Sequence, residues 1–412
     1  MDQGLTSGAG FLLNLFLARW LDSEAYGAFA VAFATLLFLS GFHSALLLEP
    51  MSVVGPANYS RQITGYCQTQ LKLHWALTAF LSSALLIAAL VAAAAGVHRE
   101  VPLAIAGSAL ALPFLLLLWM VRRMCYVVHR PAMAVWGSVG YLGVVLIGLL
   151  VLHSTKWLSP LSAFLLMGVA GASAAPLLLR RLLVAEQKSI PLSPWDQVLR
   201  ENWKYGRWVV ASTILFAVAT QTQTYMAAAL LGLGAAGILR AVQIPSLLMT
   251  QIVTAAGLLV LPAMSREFGL GRIDRLKKQA VFTALLLTGG SLAYVAFLGA
   301  FAKTVEHLLF GGKFSSHAWL IPTFGFVPVI TGLATGFSMA LRASQRPHFD
   351  LLAYAVSGPV GLITAIIFIR AWGLGGAAWS LLAGFAAYAL VLLWSFKTWT
   401  RKGAVTRDLS TS

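Results

Sequence analysis

Charge is what this chain has least of. Asp, Glu, Lys and Arg make up only 10% of its 412 residues, and just 13 of them are acids. A soluble domain carries roughly 25% charged residues and about 45–50% apolar ones. Here 59% are apolar and the mean hydropathy is +0.82. So few charges cannot cover a water-facing surface, so most of the outside must face a medium as apolar as the inside. Disorder, a collagen-like fibre and a soluble nucleic-acid binder are excluded on the same grounds. Cysteine is scarce too. Cys67 and Cys125 form no framework, and no CxxC or Cys/His cluster points to a metal or redox site. The chain contains no GxxxxGK[ST] loop, so ATP hydrolysis is not expected within it. No cofactor is expected. It opens MDQGLTSGAG, without the basic stretch of a cleavable signal peptide.

Long apolar runs are plentiful. Crossing about 30 Å of hydrocarbon takes roughly 20 residues of helix. Twelve runs qualify: 5–21, 26–48, 71–97, 101–121, 132–152, 159–179, 208–231, 236–263, 279–302, 317–341, 350–369 and 375–396. Barrel strands would alternate in polarity over about ten residues, so these continuous runs predict helices, whose backbone is satisfied internally. The expected fold is an all-α polytopic membrane protein.

The net charge of +16 fits that reading. Basic residues collect in the loops that stay cytoplasmic. Placing both termini and the loops after the even-numbered spans on one side puts 22 of the 29 Lys and Arg there. Both termini are therefore expected in the cytoplasm, where a disulfide between Cys67 and Cys125 is not expected.

A polar stretch near 180–207 separates six spans from six. The expected organisation is a six-helix bundle over 1–180, a cytoplasmic linker over 181–207, a second six-helix bundle over 208–397 and a tail over 398–412. Residues 191–207 suit a short amphipathic surface helix. The halves look duplicated. Ala18-Arg19-Trp20-Leu21 with Ala25-Tyr26-Gly27 aligns with Ala228-Ala229-Leu230-Leu231 with Ala235-Ala236-Gly237, and Arg130-Pro131 aligns with Arg346-Pro347. Two repeats of six spans start on the same side, so the repeat is parallel, as in carriers that alternate access around a midplane site. Pro113, Pro245, Pro322, Pro328 and Pro359 fall within spans; they either permit bending or simply pack.

Several stretches carry a resemblance. DQGLTSGAGFLLNLFLARWLDSEAYGAFAVAFA (Asp2–Ala34) and LLLEPMSVVGP (Leu46–Pro56) resemble the opening helices of Wzx-type polysaccharide flippases, with their "ARWL" and "YG.F" runs. LLGLGAAGILRAVQIPSLL (Leu230–Leu248), LRASQRP (Leu341–Pro347) and GLGGAAWS (Gly373–Ser380) resemble later segments of the same family. The resemblance implies a MATE-like, V-shaped, two-lobed carrier of the superfamily that also holds multidrug extruders. It implies a lipid-linked oligosaccharide as substrate, undecaprenyl-pyrophosphate-linked and moved across a bacterial inner membrane by alternating access. Polysaccharide polymerase or export machinery is the implied partner, alongside membrane lipids and without nucleic acid. It implies no enzymatic activity.

The residues themselves suggest sites. Arg240 lies inside span 8 with no acid at i±3 or i±4. An arginine there either faces a polar cavity, where its fork suits phosphate, or snorkels to the outer interface. Gln243 shares its helical face and would meet sugar hydroxyls. Gln221 and Tyr225, one turn apart in span 7, pair better than Gln221 and Gln223; the other reading is interhelical hydrogen bonding. Arg19 is either a cavity residue or an outer-interface anchor. His43 is read as the only histidine well inside a span, either a buried neutral imidazole or a proton-coupling group. Glu49 either gates or pairs with Arg61, Arg122 or Arg123. Arg122, Arg123 and Arg130 would either meet a pyrophosphate at the inner leaflet or serve as positive-inside anchors.

Two alternatives compete. A cation-coupled drug extruder usually needs an intramembrane carboxylate, and no Asp or Glu lies deep in any span. A polyprenyl-dependent glycosyltransferase or polymerase would need room for a catalytic site, and the outer loops are short. The acidic pair Asp22 and Glu24 reads better as the start of span 2, complementing the helix dipole.

Overall fold

Apolar runs longer than the bilayer is thick become helices because lipid offers the backbone no hydrogen-bond partner. The computed structural model describes residues 2–59, 62–184, 193–346 and 348–408. In chain order its α-helices are α1 (Asp2–Trp20), α2 (Ser23–His43), α3 (Glu49–Asn58), α4 (Ile63–Ala94), α5 (Glu100–Val127), α6 (Pro131–Ser154), α7 (Pro160–Val184), α8 (Trp195–Leu231), α9 (Leu233–Gly269), α10 (Ile273–Ala300), α11 (Ala302–Phe310), α12 (Leu320–Ala343) and α13 (His348–Asp408). Among the described residues, ten helical stretches are long and apolar enough to cross a membrane. One of them, His348–Thr400, runs for 53 residues and is two rods, because Gly373 leaves the helical region at φ 57° and ψ −133°. With α1 as the first rod, the twelve expected spans are all helical. The protein is a multi-pass membrane protein.

Local sequence sets the joints. Asp22 caps α2, its carboxylate accepting from the amides of Glu24 and Ala25 at 3.0 and 2.8 Å. The acidic pair Asp22 and Glu24 is thus a helix start. Between α2 and α3 the chain widens into a π-helix, Ser44–Leu48. Pro50 explains it: proline has no N–H for the carbonyl four residues back, and its ring crowds that carbonyl. One wider turn, closed by the Glu49 amide on the Ser44 carbonyl, carries the helix past. In α5, Pro113 likewise deprives the Ala109 carbonyl of its donor, and the Ser82 hydroxyl of α4 supplies one at 2.8 Å. Pro322 lies in the first turn of α12 and bends nothing, because amides there have no intrahelical partner.

The chain divides into two compact units, Met1–Ile214 and Leu215–Ser412. In the first, the opening part of α8 is fastened to α4. Gln70 and Asn202 exchange amide hydrogen bonds of 3.2 and 3.0 Å beneath the Tyr66 hydroxyl, and Thr69 donates to the Ser193 carbonyl at 2.8 Å. The expected surface helix is therefore continuous with span 7 as one helix, Trp195–Leu231. Residues 185–192 of the polar stretch, and Arg61, lie outside the described residues. In the second unit the core gathers α9, α10, α12 and both arms of α13 around Leu276, Ala280, Ala340, Leu341 and Leu392.

Each unit carries a buried carboxylate tied to arginine, serine and tyrosine. In the first, Arg122 grips Asp2 through Nε at 3.0 Å and Nη2 at 2.7 Å, Tyr126 donates at 2.8 Å, and Ser138 adds a short bond. That joins α1, α5 and α6. In the second, Asp350 accepts from Ser338 at 2.7 Å, from Tyr388 at 3.1 Å and from Arg342, joining α12 to both arms of α13.

Candidate functional site

The expected cargo residues of the second unit lie on α8 and α9. The helical repeat places Arg240 and Gln243 on one face of α9, and both are half-buried. The Arg240 Nε atom is shielded from solvent. Ala241, Val242 and Leu239, turned away from Arg240, are fully buried, and so are its i−4 and i+4 neighbours Ala236 and Ile244 on the same side of the helix. Thr250, Gln251 and Thr254 continue the Arg240 face within an arc of about 100°; Gln251 and Thr254 are exposed. Polar side chains on a membrane helix are costly against lipid. Sequence reading stopped at Gln243; the period-3.6 spacing of Thr250, Gln251 and Thr254 was the available signal. The hydroxyl of Tyr294 in α10 donates to the Pro245 carbonyl at 2.9 Å and pins α9 just beyond this face.

On α8, Gln221 and Tyr225 are half-buried, one turn apart. Gln223 faces elsewhere: it is 1% exposed, and a Cβ placed on Gly361 of α13 would lie 3.5 Å from its amide nitrogen. The placed carboxylates of the second unit, Glu267, Asp274, Glu306 and Asp350, sit at helix ends or in short α11. The spans carry Arg240 and no acid deep within them among the described residues.

In the first unit the expected residues separate. Arg19 ends α1 and is exposed. Beside it, Trp20 stacks on His153 with ring centres 4.1 Å apart. Glu49 is half-buried, with its carboxylate 4.0 Å from Arg123. Of the three arginines expected at the inner leaflet, Arg122 is turned inward. It is 8% exposed and bound through two nitrogens to Asp2, so a headgroup would have to displace that carboxylate. The other two are half-buried Arg123 and exposed Arg130. Arg130 also lines a small cavity of about 50 Å³ with Thr64, Gln68 and Leu71. A larger cavity of about 640 Å³ lies between α4 and the start of α8, lined by Leu46, Leu73, Leu77, Leu199 and Lys72.

His43 is not the sole histidine within a span. His74 is equally buried, and the two rings share a hydrogen bond of 2.8 Å between His43 Nε2 and His74 Nδ1. Starting the third span at residue 71 left His74 at its margin, whereas the helix begins at Ile63 and carries His74 well inside. Cys67 and Cys125 are both free and buried.

No protein-family profile matches the chain, and no curated protein sequence does. Solved structures do. An inward-facing multidrug resistance MATE family transporter of the MOP superfamily superposes with a TM-score of 0.83 at 14% identity, over 98% of this chain and 96% of that one. The lipid II flippase MurJ, in an inward closed conformation, superposes with a TM-score of 0.71 at 14% identity, over 96% and 86%. A MOP superfamily transporter from Pyrococcus furiosus, described as having a binding pocket of reversed polarity that suggests a different function, gives 0.67 at 14% identity, over 96% and 93%. At these identities the match speaks for architecture: over nearly its whole length, this chain has the fold of the MOP-superfamily transporters.

Proposed function

We propose that this protein is a flippase for an anionic, lipid-linked oligosaccharide, moving it between leaflets by alternating access. The observation that carries the reading is the charge pattern of the second unit. Arg240 heads a polar face on α9, while the placed carboxylates are held at helix ends and in α11. A guanidinium in low dielectric selects phosphate through paired N–H bonds, and Gln243, Thr250 and Gln251 offer hydrogen bonds to sugar hydroxyls. The MOP-superfamily fold is shared with a protein that flips lipid II, so it accommodates such cargo. In this reading Gln221, Tyr225 and Arg19 also line the headgroup path, and Arg123 and Arg130 receive the pyrophosphate at the inner leaflet. The substrate is undecaprenyl-pyrophosphate-linked, the membrane is the bacterial inner membrane, and both termini are cytoplasmic. A polymerase or exporter consumes the product.

Complementation of a flippase-null bacterium tests this. Arg240→Ala should abolish rescue at unchanged protein level, and Arg240→Lys should keep part of it. Full rescue by Arg240→Ala would remove Arg240 from the site.

A cation-coupled multidrug extruder is the second reading, favoured by the superposition on a multidrug transporter. Cationic dyes and a pyrophosphate-linked lipid separate the two in a binding assay. The flippase reading expects the lipid to bind and the dyes not to.

A further inference from the structure

Within the first unit, His43 of α2 and His74 of α4 are both 0% exposed, and their rings meet edge to face with centres 5.1 Å apart. The bond between them uses His43 Nε2 and His74 Nδ1. The outer nitrogens, His43 Nδ1 and His74 Nε2, are buried without a hydrogen bond of normal geometry among the described residues. Two hydrogen-bonded imidazoles hold two ring protons when neutral, one of them in the bridge. A third proton fits, and it must go to whichever outer nitrogen is bare. A fourth would set two N–H groups against each other and break the bridge. The pair is therefore a one-proton device.

Among the described residues no charged side chain forms an ion pair with it. From α5 the Pro113 carbonyl is a backbone hydrogen-bond acceptor for the His74 ring, and Leu112, Leu116 and Trp119 of the same helix belong to an apolar cluster with Leu77 and Leu81 of α4. The nearest titratable groups farther along α5 are Arg122, Arg123, Cys125 and Tyr126, with Arg122 engaged by Asp2 and Arg123 beside Glu49. On α4, Lys72 points outward and is exposed. On α8, Arg207 is exposed over Trp208 at 5.3 Å, and the electrostatic partner of Tyr205 is Glu49. No third His, Cys, Asp or Glu joins the pair in a metal-holding group among the described residues. That leaves the proton as the ligand of fitting chemistry.

The pair also borders a widened turn. His43 is the last residue before the π-helix Ser44–Leu48; such turns are frequent at functional sites. Gly206 of α8 presses on the widened turn so closely that a Cβ there would lie 2.6 Å from the Ala45 carbonyl.

We infer that His43 and His74 form the proton-binding site that couples a pH gradient to transport. Resting on the flippase reading, this names its driving ion. As seen here, the pair is closed around its bridge. Charging it favours an arrangement in which the outer nitrogen meets water, and the π-turn lets His43 move. Each state is then selected by one proton.

The test uses the full-length protein in liposomes containing the undecaprenyl-pyrophosphate-linked oligosaccharide, with membrane potential clamped. Flipping is timed with and without a pH gradient. His43→Gln and His74→Asn each retain the bridging nitrogen position without a titratable ring. A several-fold acceleration by the gradient in the wild type, falling to a ratio of one in both variants, supports the site. Acceleration that survives in either variant overturns it. Histidine ¹⁵N NMR of the wild type in nanodiscs, without substrate, gives a second readout. Coupled titration of two rings, lost in each variant, supports the pair; two rings unmoved from pH 4.5 to 8.5 overturn it. Titration without lipid flipping would reject the cargo and keep the proton site. Flipping indifferent to the gradient would reject the proton site and keep the cargo.

Discussion

His129 and Gln345 share a φ of 58° and close the same turn at matching places in the two halves of the chain. After α5, the His129 amide donates to the Tyr126 carbonyl at 3.1 Å and the Arg130 amide to the Cys125 carbonyl at 2.7 Å; after α12, Gln345 donates to Arg342 at 2.9 Å and Arg346 to Leu341 at 2.9 Å. These are two Schellman ends, each followed by Arg-Pro in sequence. Lys156 at φ 61° and Gly373 at φ 57° share a positive φ at almost the same offset, although Gly373, with ψ −133°, makes a different turn. The duplication read from a few residue types thus reappears as backbone geometry.

A side chain in the left-handed region costs about 1–2 kcal/mol, part of which glycine gives back as chain entropy. His129→Gly and Gln345→Gly should each stabilise the protein by about 0.5–1 kcal/mol. A thermal melt in detergent checks this, and a lower midpoint for both would contradict it.

The Asp2–Arg122 pair should be expensive to break from one side. Removing one partner of a buried ion pair costs about 3–5 kcal/mol, so Arg122→Ala and Asp2→Asn should each lower the melting midpoint sharply. The double variant should lose less than the sum. Burial pushes the Asp2 carboxyl up, but Arg122, Ser138 and Tyr126 outweigh it and hold the group below its ordinary 3.8. With the folded pKa depressed, the stabilisation is complete above the ordinary carboxylate value. It is lost as pH falls through the lowered one. The wild type should therefore lose stability below about pH 4, and Asp2→Asn should lose less there.

Ser82 matters because of Pro113. Ser82→Ala leaves the buried Ala109 carbonyl without a donor, which should cost about 1–3 kcal/mol. In a Pro113→Ala background residue 113 supplies its own amide, so the same Ser82 change should cost much less. A double-mutant cycle on denaturation midpoints measures the coupling; additive losses would rule out the compensation.

Gly206→Ala should be destabilising by about 1–3 kcal/mol, since its Cβ would meet the Ala45 carbonyl at 2.6 Å. If Pro50 causes the π-turn, Pro50→Ala restores an ordinary helix and draws that carbonyl back. The double variant should then melt above Gly206→Ala alone. A double variant no better than the single one would detach the wide turn from Pro50.

Composition and run length were enough for the helical, membrane-spanning class and the span positions. Each follows from the cost of exposing backbone or charge to lipid, which acts locally along the chain. Arg240 and Gln243 were visible for the same reason: their spacing on one helix puts them on one face. Most pairings across helices were not visible; Glu49, expected against Arg61, Arg122 or Arg123 and lying 4.0 Å from Arg123, is the exception. His74 opposite His43, Asp2 under Arg122 and Ser82 beneath Ala109 join residues 27 to 120 positions apart. Nothing in the periodicity of a single helix states which face of another it meets. That depends on how side chains and glycines interdigitate once the rods are packed, and packing also turned Arg122 from a candidate pyrophosphate contact or interface anchor into an interior clamp.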